Sequence, residues 1–153
     1  MQPFKQDLVR IQDEIREYFD WSLEADYKSA LLLLESCKNP APSILLEGKV
    51  TVVGAAVNPG YIPQMPTLVA DGAIGAIEDY SKVVLIVSDG DGSPYIEKAL
   101  NKGIPICLHA HGDNIETWQN ILSAINEKQQ IMLTHQTPEK IEGMHNPGGF
   151  TDG

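Results

Sequence analysis

Four carboxylates and two imidazoles fall directly after apolar runs: Asp71 after TLVA, Asp89 and Asp91 after VVLIVS, and His109, His111 and Asp113 in HAHGDN after IPICL. Carboxylates gathered at one rim repel one another unless they are protonated, paired with basic groups or bound to cations. The local sequence around them supplies no Lys or Arg. Hard oxygen ligands of this kind suit Mg²⁺, which keeps several waters and shares its remaining positions with phosphate oxygens. A nucleoside triphosphate bound with magnesium matches that chemistry. Taken singly, Asp71-Gly72 and Asp89-Gly90-Asp91-Gly92 read as turns, and their recurrence at successive run ends is what points to a ligand. His109 and His111 are two apart, so on extended backbone they share a face and would permit joint zinc ligation. Such a pair is more often hydrogen-bonded or substrate-orienting. Asp113 or Asn114 also reads as the cap of a helix beginning NIETW.

These residues need elements that bring them together. KVTVVGAAV, TLVADG, KVVLIVSDG, IPICLHAHG and QQIMLTH are short apolar or β-branched runs, each ending in polar or glycine-rich residues. Near-continuous apolar strands suggest a sheet buried on both faces. Helices are predicted between them at GAIGAIEDYS, SPYIEKALNKG and NIETWQNILSAINEK, with Ser93 as N-cap and Pro94 at the first helical position of the second. Strand and helix therefore alternate, which predicts an α/β fold: a mainly parallel sheet with helices on both faces, three layers in all. In such a sheet ligands bind beyond the carboxyl ends of the strands. Gly54, after the first strand, permits close backbone approach to a ligand or simply punctuates a turn.

Upstream, Leu8, Ile11, Ile15 and Phe19 recur at helical spacing, and EADYKSALLLLESC reads as a second helix stopped by KNPAPS. Residues 1–48 thus form an N-terminal helical cap, and 49–153 the α/β body, in one compact domain overall. Asp and Glu total 21 against 11 Lys and Arg, a formal net charge of -10, which opposes attraction to nucleic acid or anionic membranes. No segment has the length or apolar character of a signal or a membrane span, so a cytoplasmic location is expected. Cys37 and Cys107 make no CxxC and read as small buried side chains.

In combination, ADGA at 70–73, SDGDG at 88–92, HAHGDN at 109–114, LTHQT at 133–137 and GGFTDG at 148–153 resemble the archaeal 6-hydroxymethyl-7,8-dihydropterin pyrophosphokinase family, whose catalytic region is similar to that of thiamin pyrophosphokinases. The resemblance runs from about Lys49 to the C-terminus. It implies Mg²⁺-dependent transfer of diphosphate from ATP to the reduced hydroxymethylpterin, releasing AMP, in folate or methanopterin biosynthesis. Asp71, Asp89, Asp91 and Asp113 would be the metal and phosphate-site carboxylates. Gly54, Gln136, Thr151 and Asp152 would lie near nucleotide or pterin, with His109 and Asn114 on the substrate.

In that mechanism His111 or Asp113 would accept the hydroxyl proton. The first glycine-rich turn departs from the family's glycine, small residue, glycine, proline, serine by running GAAVNPG. The family also continues past GGFTDG with an aspartate, an arginine and a helix, so a chain ending at Gly153 is expected to lack a phosphate partner. The alternatives are a noncatalytic nucleotide-binding module and a zinc-dependent hydrolase built on His109, His111 and Asp113. Helices outside the body offer a surface for self-association.

Overall fold

The computed structural model describes residues 3–41, 44–112, 114–125 and 129–145. Two helices, α1 (Pro3–Tyr18) and α2 (Leu23–Ser36), precede β1 (Thr51–Val53), β2 (Thr67–Ala70), β3 (Val83–Ser88), α3 (Ser93–Leu100), β4 (Ile106–Ala110), α4 (Ile115–Ala124) and β5 (Ile131–His135). The strands form a single parallel sheet in the order β1-β2-β3-β4-β5. In register, Val69 of β2 lies beside Ile86 of β3, Ile86 beside Ile106 of β4, and Ile106 beside Ile131 of β5, so a row of β-branched side chains crosses the sheet. Every residue of β4 is buried, whereas Val52 on the edge strand β1 is 70% exposed. The fold is thus the expected parallel α/β sheet with helices and an N-terminal helical segment.

Three local features depart from the sequence reading, each for a physical reason. Residues 71–82 form two short 3-10 turns, Asp71–Ala76 and Tyr80–Lys82, in place of the helix expected at GAIGAIEDYS. Ile77 between them is extended and bridges Tyr61, whose N–H donates to Ala76 O and whose carbonyl accepts from Glu78 N, so no α-helix can run through that point. At α3 the cap is Gly92, with a left-handed φ of 76°, and Ser93 is already the first helical residue. A Cβ on Gly92 would stand 2.4 Å from Gly72 Cα, so that close approach requires glycine.

The inward face of α1 is the third departure. Of the expected apolar stripe, Ile11 and Phe19 are exposed, while Gln12 and Arg16 are buried. The inner face meets the polar end of the sheet, where Gln12 Nε2 donates to Gln136 O at 2.6 Å.

The second helix is part of the core. Ser22 caps it by accepting from Ala25 N at 3.1 Å. Ala30 and Leu33 are fully buried, and Ser29 Oγ takes the indole N–H of Trp118 on α4 at 3.1 Å. Beyond α2 the chain pairs with β5, as Ala41 N donates to Ile131 O. Cys37 and Cys107 are both buried free thiols. Leu33→Ala is therefore expected to cost about 2–5 kcal/mol of global stability. Urea unfolding should show one transition shifted to lower denaturant; a separate early transition for the helical segment would contradict this packing.

Candidate functional site

Asp89, buried just beyond β3, engages its neighbours with each of its four polar atoms. Its N–H donates to Asp71 Oδ1 at 3.3 Å, which ties the loop after β3 to the loop after β2. Its carbonyl accepts from Asn114 Nδ2 at 2.7 Å and from Thr117 Oγ1 at 3.0 Å, which ties it to the start of α4. Oδ1 accepts from Asp91 N at 3.1 Å, and Oδ2 faces His111 Nε2 at 3.2 Å. The loops after β2, β3 and β4 thus converge on one residue. Two glycines permit this approach: a Cβ on Gly90 would lie 2.4 Å from the Thr117 backbone, and Gly92 abuts Gly72. Asp71 itself holds a left-handed φ of 47°, a strained backbone at the rim.

The sequence-derived residues divide by position. Asp71, Asp89 and His111 are drawn together, and Asp91 sits exposed on the same loop as Asp89. Asn114 Nδ2 bridges the carbonyls of Asp89 and His109, and its Oδ1 accepts from His111 N at 2.9 Å. That side chain clamps two loops. Asn114 is the helix N-cap by position, yet makes no side-chain bond to the helix.

His109 is fully buried with Nδ1 2.9 Å from Thr134 Oγ1, and its ring centroid is 6.2 Å from that of His111. Burial, helped by the neighbouring His111 imidazole, pushes its imidazole down to about 3, so His109 is neutral near physiological pH. Gln136 is buried, donates its amide to Asp26 Oδ2 at 3.3 Å, and takes the Gln12 amide on its carbonyl. Asp113, Thr151 and Asp152 lie outside the described residues.

Gly54 follows β1 in an exposed turn, with Val57 N on its carbonyl, and a Cβ there would meet nothing within 4 Å. A cavity of about 280 Å³ opens beside it, between Ala55 and Val57 on one side and Ala70, Asp71, Gly72 and Ala73 on the other.

The donor chemistry of this rim fits a hydrated hard cation. Burial pushes the Asp71 carboxyl above its ordinary value, and the charges of Asp89 and Asp91 push the same way against opposing hydrogen bonds from Ser88 and the Asp89 backbone. Among the described residues no three His, Cys, Asp or Glu side chains are grouped to enclose a metal. Mg²⁺ is commonly held by one or two carboxylates with water and phosphate completing its shell, so a closed cage is not required.

Sequence reading missed Asp26, Ser88 and Thr117. Ser88 Oγ takes the Gly90 N–H at 2.9 Å and Thr117 holds the Asp89 carbonyl. Asp26 carried a readable signal, because an acid lies in register with Ala30 and Leu33 on the buried face of α2.

A parallel α/β sheet with hydrogen-bonded Asp71, Asp89 and His111 beyond its strand ends defines the class of protein: an α/β chain with an acidic strand-end site. No family model matches the chain. It is similar to a 6-hydroxymethyl-7,8-dihydropterin pyrophosphokinase of Methanocaldococcus jannaschii, with 37% identity over 94 residues, 58% of this chain. The match spans 38% of that relative's length. No helix among the described residues is long and apolar enough to cross a membrane.

The raised Asp71 value has a stability consequence of definite sign. A carboxyl whose folded pKa exceeds its unfolded value favours the fold while protonated, and loses that contribution as pH rises through the folded value. In magnesium-free buffer Asp71→Asn should therefore be more stable than the parent at pH 7. The advantage should shrink as pH falls towards about 4, the ordinary carboxylate range. Urea midpoints measured across that range check it, and an advantage unchanged with pH would contradict it.

Proposed function

We propose that this site transfers diphosphate from ATP to 6-hydroxymethyl-7,8-dihydropterin with Mg²⁺, giving the pterin diphosphate and AMP, in tetrahydrofolate or methanopterin biosynthesis. The observation that carries the reading is the convergence of Asp71, Asp89 and His111 through bonds of 3.2–3.3 Å. The likeness to the Methanocaldococcus jannaschii 6-hydroxymethyl-7,8-dihydropterin pyrophosphokinase supports the choice of acceptor.

In this reading the pterin hydroxyl oxygen bonds to the β-phosphorus, the bond from that phosphorus to the α,β-bridging oxygen breaks, and AMP leaves with that oxygen. Asp71, Asp89 and Asp91 hold the cation, which supplies charge neutralisation to the triphosphate when bound. An ionised Asp89 can only accept, so the His111 nitrogen facing it carries the proton and Nδ1 becomes the ring's basic nitrogen. His111 so oriented accepts the hydroxyl proton, the role that a carboxylate-held imidazole performs in other nucleophile activations. His109 is too deeply buried to share it and supports the strand beneath. The cavity beside Gly54, walled by small side chains, suits a flat heteroaromatic ring of either substrate.

The test is AMP release with reduced hydroxymethylpterin and with thiamin as acceptors. Turnover with the pterin is expected, and turnover with thiamin alone would overturn the acceptor. Binding of ATP without AMP release would instead support a noncatalytic nucleotide-binding module. Asp89→Asn should lower turnover by about 100-fold or more, while the thermal midpoint stays within a few degrees of the parent. Parallel loss of activity and stability would reduce Asp89 to a turn residue.

A further inference from the structure

Asp26 stands one turn inside α2 and is 2% exposed. Among the described residues its carboxylate has two partners. Oδ1 accepts the Gly112 N–H at 2.8 Å, and Oδ2 accepts the Gln136 amide at 3.3 Å. Burying a carboxylate against neutral donors carries a desolvation cost that an apolar residue would avoid. What it secures here is the turn directly after His111. Gly112 is pressed against α2 as closely as backbone allows: a Cβ there would lie 2.8 Å from Ala25 Cβ and 3.2 Å from the Ala25 backbone. One residue upstream, His111 has its backbone N–H on Asn114 Oδ1 and its ring on Asp89 Oδ2. The peptide carrying His111 is thus clamped from α4 on one side and from α2 on the other.

We infer that Asp26 is a positioning residue for His111, acting through the Gly112 N–H, and that the N-terminal helical segment completes the site. The consequence for turnover rests on the diphosphate-transfer reading; the structural consequence does not. Asp26 also fixes the Gln136 side chain, so one carboxylate sets the loops after both β4 and β5. Gln12 of α1 grips the Gln136 carbonyl, extending the same junction to the first helix.

Nitrogen-15 histidine NMR on the full chain tests this, with His111 assigned through His111→Gln. Asp26→Ala should move the His111 ring-nitrogen shifts to those seen in Asp89→Asn, reporting loss of the Asp89 contact. Asp26→Asn keeps an acceptor oxygen for the Gly112 N–H and should leave them at parent values. If Asp26→Ala does not fold, Gly112→Ala takes its place: the new methyl meets Ala25, so the His111 shifts should move, and Ala25→Gly in the same chain should return them.

In the AMP-release assay Asp26→Ala should lower kcat on the order of 10-fold, with KM for ATP within about twofold, as expected for a misplaced group that does not bind nucleotide. Unmoved His111 shifts in Asp26→Ala, or in Gly112→Ala where that variant replaces it, would overturn the inference. So would equal movement in Asp26→Asn and Asp26→Ala. Absence of AMP release in the parent chain would count against the reaction, while the NMR arm still decides the positioning.

Discussion

The structure depends on one constraint: Asp89 must satisfy all of its polar atoms on neighbouring loops while nearly enclosed. A buried carboxylate and its peptide groups are costly when unpaired, so the loops after β2 and β4 are held wherever Asp89 can reach them. Its N–H sets Asp71, its carbonyl sets Asn114 and Thr117, and its side chain sets Asp91 and His111. Glycines at 72, 90 and 92 are the steric counterpart of that demand, because the backbones approach too closely for Cβ atoms at 90 and 92. Burial at this point raises the Asp71 carboxyl, with the charges of Asp89 and Asp91 adding to it, and a cation held there would relieve that added repulsion.

The N-terminal helices extend this logic outward from the strand ends. Their buried faces carry Gln12, Arg16 and Asp26, polar groups that an ordinary packing helix would keep in water. Gln12 and Asp26 meet the loops after β4 and β5, where backbone N–H and C=O groups leave the sheet and need partners. Farther along α2, Ala30 and Leu33 contribute apolar packing and Ser29 holds the Trp118 indole. The same helix therefore serves the core with one end and the site loops with the other.

The strands were legible in the sequence because near-continuous apolar runs leave few other ways to bury Ile86, Ile106 and Leu133. Their common direction followed from strand–helix alternation, whereas the order β1-β2-β3-β4-β5 is given by the structure. Less legible was whatever depended on partners distant in the chain. Residues 72–81 have helical composition, but pairing of Ile77 with Tyr61 takes the backbone elsewhere. In and just beyond α1, periodicity favoured Ile11 and Phe19, whereas hydrogen-bond demand from Gln136 turned Gln12 inward. At the site, residue types and spacing identified Asp71, Asp89 and His111, but not that Asn114 would clamp loops or that Asp26 would reach Gly112 across 86 positions.

Calorimetric binding of α,β-methylene-ATP in the presence and absence of Mg²⁺ addresses the central claim, that carboxylates from separate strand ends hold a cation-bound triphosphate, most directly. The account predicts reciprocal dependence: magnesium tightens the nucleotide, and the nucleotide tightens magnesium by the same factor. Equal affinity for the nucleotide with and without the metal would contradict it.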